Sequence, residues 1–154
     1  MKKALSIFLV IMCILSLCAC NSNQVDIFDR YNAKTTSSDI EKDLSSYSVD
    51  KSGYNDYVSF VVENYEYHGV TGKLNVITEQ NSSDSDFYIT SLQFYVNFKS
   101  EIAPDDYQIL DKYIMSKYGE PDTTEDKAYC WNLNDSETVK YYNYGPVYLT
   151  KEFS

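Results

Sequence analysis

Between Phe87 and Phe98 the apolar residues Leu92, Phe94, Val96 and Phe98 fall on one side of an extended backbone. Gln93, Tyr95, Asn97 and Lys99 fall on the other. A period of two predicts a strand with one buried and one wet face, as in an antiparallel sheet covered on one side. Lys73–Thr78 alternates in the same way, with Leu74 and Val76 opposite Lys73 and Asn75. β-rich runs predict further strands over Tyr57–Tyr67, Lys127–Leu133, Thr138–Tyr142 and Val147–Phe153. Turn-forming stretches separate them: Gly69 to Gly72, Gln80 to Asp86, Asn134 to Ser136, and Asn143 to Pro146.

The period changes after Phe98. Pro104-Asp105-Asp106 suits a helix start, because proline fits the first turn and carboxylates favour the positive end of the helix dipole. Tyr107, Leu110, Ile114 and Tyr118 then form an apolar stripe, and Gly119 followed by Pro121 ends the helix. A shorter helix is predicted from Asp39 to about Ser46, with Ile40 and Leu44 on one face and Ser38 and Glu41 as a capping box. The order is therefore α-βββ-α-βββ. It predicts an α+β domain over residues 38–154, an antiparallel sheet with helices on one face, in two halves of similar plan. The stripe from Tyr107 to Tyr118 is the expected cover for Leu92, Phe94, Val96 and Phe98. Parity places Tyr88 on the covered side and Tyr95 on the open one. Tyr95, with Gln93 and Asn97, is thus the candidate binding surface, against the plainer reading that Tyr95 packs on its cross-strand neighbours.

The N-terminus follows a different pattern. Lys2 and Lys3 precede an apolar run from Ala4 to Leu17, interrupted by Ser6 and Ser16, and then come Leu17-Cys18-Ala19-Cys20 and polar Asn21 to Asn23. A charged start and a short apolar core are the parts of a secretory signal. The run falls short of the roughly 20 apolar residues of a membrane span. Leu17, Ala19 and Cys20 resemble the lipobox of bacterial lipoproteins; Cys18 stands where a small or β-branched residue is commoner. The resemblance implies a signal peptide over residues 1–19, cleavage before Cys20, and lipid on the Cys20 sulfur holding the chain to the extracytoplasmic side of the cell membrane. The family's diacylglyceryl group carries two chains, enough for stable anchoring where one is marginal. Residues 20–37, poor in apolar positions, are read as the lipidated cysteine and a flexible tether, with Val25, Ile27 and Phe28 able to dock on the domain.

Charge narrows the partners. The chain carries 23 acidic and 13 basic residues, a net charge of −10, and every acidic residue lies beyond Cys20. Such a surface disfavours nucleic acid and anionic polymers. It suits a basic partner, cations or plain solubility. With Cys13 and Cys18 in the leader and Cys20 lipidated, Cys130 has no disulfide partner. The sixteen tyrosines suit half-buried strands and binding surfaces alike.

A search for catalytic chemistry yields no assignment. His68, the single histidine, sits beside Gly69 at a strand end, and Cys130 lies between Tyr129 and Trp131. A Cys130–His68 nucleophile pair has no support in the spacing, and a buried cysteine commonly acts as a small apolar residue. Asp84 to Asp86 and Asp122 to Asp126 lack the ligand spacing of a calcium loop, and no phosphate-binding or zinc-hydrolase motif is present. No catalytic residue, metal ligand or cofactor is assigned. The Tyr118-Gly119-x-Pro121 turn before Trp131 resembles that of small α+β lipoproteins of Firmicutes. The layout is loosely similar to the helix-plus-meander domains of outer-membrane assembly lipoproteins and β-lactamase inhibitory proteins. The expectation is a membrane-anchored, non-enzymatic binding module for an unknown protein or small molecule. The alternatives are a helper in envelope assembly or stress and a surface hydrolase.

Overall fold

The computed structural model describes residues 25–80, 86–96, 104–142 and 147–154, with the side chains of 104–107 excepted. The signal peptide, Cys20, Asn97 and Phe98 lie outside the described residues. The chain divides into two units, Met1–Arg30 and Tyr31–Ser154. In the first, Ile27–Arg30 forms the short helix α1 with Ile27 and Phe28 buried. The Asp26 carboxylate accepts from the Phe28 amide at 2.8 Å and so caps the turn.

In the second unit eight strands form one antiparallel sheet in the order β1-β2-β3-β4-β8-β7-β6-β5. They are β1 (Val49–Tyr54), β2 (Tyr57–Tyr67), β3 (Val70–Gln80), β4 (Phe87–Val96), β5 (Thr123–Glu125), β6 (Ala128–Asn134), β7 (Glu137–Tyr142) and β8 (Val147–Phe153). Two helices join them, α2 (Ser37–Asp43) and α3 (Pro104–Tyr118). The fold is α+β, as the patterning predicts. Each expected group of three strands carries a fourth, β1 and β5, at the two outer edges. Each half is a helix followed by a four-stranded meander, and the halves meet where β4 pairs with β8.

Both helices contribute to the same face of the sheet, here the covered face. Phe60, Val62, Leu74, Val76, Leu92, Phe94, Leu149 and Tyr141 are all buried on it, with Leu110 and Ile114 of α3. Tyr113 of α3 meets Tyr67 edge-on at 5.9 Å, and Tyr118 lies 5.5 Å from the Trp131 ring. The Trp131 indole N–H donates to the Gly119 carbonyl at 3.2 Å, and the Tyr141 hydroxyl donates to Asp111. Gly119, at φ +76°, closes α3 with its amide on the Met115 carbonyl. Gly72 is required by a close approach, because a Cβ there would stand 2.6 Å from the Phe94 ring. Tyr65 and Tyr67 flank the same ring at 6.5 and 5.2 Å.

Three expectations need correction. The capping box of α2 is formed by Thr36 and Asp39, two residues earlier than Ser38 and Glu41. The Thr36 amide donates to Asp39 at 3.0 Å while the Asp39 amide donates to the Thr36 hydroxyl at 3.3 Å. The tether does not extend to residue 37. Tyr31 is buried, Thr36 bridges Tyr88, and the Ile89 amide donates to the Thr35 carbonyl at 3.0 Å. The few apolar residues of this stretch have no period, so its seating through Tyr31 and the Thr35–Ile89 pairing leaves no pattern to read in the sequence. Finally, Tyr88 is not on the covered side. A bulge between Ser91 and Ile89 shifts the register, so Ile89 pairs with buried Thr78 and Tyr88 pairs with Glu79 on the opposite face.

Candidate functional site

The side of the sheet away from α2 and α3 is built by the alternate residues of the same strands. Register places Lys73, Tyr95, Tyr148 and Tyr142 side by side on β3, β4, β8 and β7. One step along the strands, Asn75, Gln93, Thr150 and Lys140 form a parallel row. The next row holds Ile77, Ser91, Glu152 and Thr138. Here the alternation that fills the core on one face produces a polar and aromatic surface on the other.

The three tyrosines touch in sequence. Tyr95 and Tyr148 stand 6.2 Å apart at 41°, and Tyr148 and Tyr142 stand 5.8 Å apart at 64°. Their inclined rings make a stepped ridge of half-buried aromatic surface. Burial pushes the Tyr148 hydroxyl above its ordinary pKa, and its neighbours Tyr142, Glu152 and Tyr95 add to the effect. At one end of the ridge the Lys73 ammonium lies 5.5 Å from the Tyr95 ring centre and 2.5 Å from Glu63. The Glu63 carboxylate first, and the Tyr95 hydroxyl second, raise the Lys73 pKa. On the far side of the amide row Lys140 contacts Glu152 at 3.0 Å, and that bond raises the Lys140 pKa against the opposing effect of burial.

The amide row is self-ordered. The Ser59 hydroxyl donates to the Asn75 amide oxygen at 2.8 Å, Asn75 donates to Gln93 at 3.2 Å, and Gln93 donates to the Ser91 hydroxyl at 3.1 Å. Each side chain is thereby held in one orientation across three strands. Neutral donors and acceptors lie beside an aromatic ridge, and the flanking lysines are each matched by a glutamate. Such a surface can hydrogen-bond and stack with a partner while ordering few new rotamers.

Of the predicted binding residues, the structure brings Tyr95 and Gln93 onto this face as neighbours in β4. Asn97 lies outside the described residues. Tyr148, Tyr142, Asn75, Thr150 and Lys140 were not among the expected site residues. Asn75 carried a usable signal, the alternation of Lys73–Thr78. The pairing of Tyr95 with Tyr148 had none, because it depends on a contact between distant strands.

His68 and Cys130 do not meet. His68 occupies the β2–β3 turn at φ 49° and stacks on Tyr113 at 3.5 Å between ring centres. Cys130 is buried in β6, on the tyrosine side by register with Lys140, and its Sγ lies 3.8 Å from the Ala128 carbonyl. Among the described residues no group of three His, Cys, Asp or Glu side chains could hold a metal ion. A cavity of about 390 Å³ at the ends of β3, β4 and β8 is lined by Lys34, Glu79, Tyr88, Thr90 and Phe153 among others, and by neither His68 nor Cys130. Among the described residues no helix is long and apolar enough to cross a membrane. No family model, no curated protein and no solved structure matches the chain.

Proposed function

We propose that the protein is a lipoprotein anchored through Cys20 on the extracytoplasmic side of the cell membrane, where it acts as a non-enzymatic binding module. The reading of the anchor rests on Leu17-Cys18-Ala19-Cys20 after a charged and apolar leader. The observation that carries the binding reading is the tyrosine ridge Tyr95–Tyr148–Tyr142 beside the ordered amide row of Asn75 and Gln93. Its flanking charges are matched in pairs, so the partner contacts the ridge through shape, stacking and neutral hydrogen bonds.

Site-specific photocrosslinking in intact cells tests this. A photoreactive residue at position 95 or 148 should give one common adduct, lost when Tyr142 is replaced by Ala; position 109, exposed on α3, should not give it. The absence of an adduct from both ridge positions, or an identical pattern from position 109, overturns the binding reading. Cys20→Ala should release the chain from the membrane fraction, and a processed variant that stays there overturns the anchor.

A further inference from the structure

The two outer edges of the sheet are finished differently. At the β5 edge the strand has three residues, and where it stops the Asp122 carboxylate accepts from the Asn132 amide at 2.7 Å. The Asp122 amide in turn donates to the Cys130 carbonyl at 2.9 Å. A side chain thus completes what the short strand leaves open. At the other edge β1 runs for six residues without proline, and among the described residues its only strand partner is β2. Five of its six residues are exposed. Unpaired backbone groups along such an edge fit another extended backbone and little else.

Beside this edge lies a cleft of about 280 Å³ on the covered face. Val49, Lys51 and Phe60 form its floor, and Leu44 and Tyr47 at the end of α2 form its wall. A strand laid along β1 would direct alternate side chains towards this cleft. The Glu41–Lys51 ion pair, 2.8 Å long and half exposed on both sides, links helix to strand beside it. The surroundings are acidic: Asp39, Glu41, Asp43, Asp50 and Asp56 are all exposed, against Lys42 and Lys51.

We infer that β1 and the α2 cleft form a second binding site, separate from the tyrosine ridge, for an extended basic peptide segment of a partner protein. The segment adds as a ninth strand to the β1 edge and seats one large apolar side chain between Leu44, Tyr47 and Phe60. The edge selects an extended backbone, the cleft an apolar anchor, and the carboxylates flanking lysines or arginines.

The test uses the full chain in detergent micelles and a labelled twelve-residue peptide alternating leucine with lysine. The same peptide with alternate backbone nitrogens methylated, and its glutamate counterpart, are the controls. The plain peptide should bind, slow amide exchange over residues 49–54, and weaken by about tenfold or more on methylation, which removes the backbone donors while the protein is unchanged. The glutamate peptide should bind more weakly still. Tyr47→Ser should weaken binding several-fold and Tyr95→Ala should leave it unaltered. No binding by the plain peptide, equal binding of the methylated peptide, or protection at residues 87–96 instead of 49–54 overturns the inference. Protection of 49–54 without peptide, together with a dimer in sedimentation, makes the occupant a second copy and overturns it too.

Discussion

The two faces of the sheet share the same strands and differ in what holds them together. The covered face is a packed core, in which Phe94 fills the space over Gly72 and is walled by Tyr65 and Tyr67. On the opposite face the side chains are longer and polar, lie over small residues such as Thr150 and Ala128, and are ordered by one another through Ser59, Asn75 and Gln93. The comparison separates the residues that hold the sheet together from those it presents to solvent. Removing volume from the covered face leaves a cavity, whereas removing it from the other face leaves water.

Phe94→Ala should therefore give the largest loss, about 3–5 kcal/mol, measured by denaturant unfolding, while Tyr95→Ala, one residue away, should cost about 1 kcal/mol or less. If Tyr95→Ala is the more damaging, the assignment of the two faces is reversed. The covered face also buries a charge. Lys151 is buried there with its ammonium 3.1 Å from Glu137 and 3.2 Å from the Tyr31 carbonyl. Glu137→Gln removes the partner charge and should cost about 3 kcal/mol, and adding Lys151→Met should recover most of it. A double variant as unstable as the single one would mean that Lys151 serves the Tyr31 carbonyl more than Glu137.

The smallest effect belongs to the tyrosine ridge. The folded pKa of Tyr148 lies above its unfolded value, so its contribution to stability is complete below the unfolded pKa and fades as pH rises through the folded one. Unfolding measured in alkaline buffers should show this decline in the parent chain and a shallower one in Tyr148→Phe. An identical slope would place Tyr148 in water, outside the ridge.

Much of this division was legible from the sequence. Leu92, Phe94 and Val96 announced the covered face, Gln93 and Tyr95 the other, and the helix over 104–118 has both its predicted ends. What escaped has physical causes. β1 has apolar residues only at its two ends, Val49 and Tyr54, and β5 has none; an exposed edge strand has no buried face to impose alternation. Tyr88 was misplaced because a bulge at Thr90 inserts one residue, and parity counting has no means of detecting it. Asn64, at φ 56° between Val62 and Tyr65, marks a second bulge, in β2; asparagine tolerates that conformation better than most residues. Of the ridge, only Tyr95 was readable, since Tyr148 and Tyr142 join it through the pairing of β4, β8 and β7.

The meeting of β4 with β8 has a consequence for how the molecule comes into being. Tyr95 and Tyr148 are neighbours in space, but all of α3, β5, β6 and β7 is made between them. A growing chain can fold its first meander early, but that meander keeps a raw inner border at β4 until β8 emerges to pair with it. Closure of the sheet is therefore late: the contact that joins the two meanders forms only after β8 has been made.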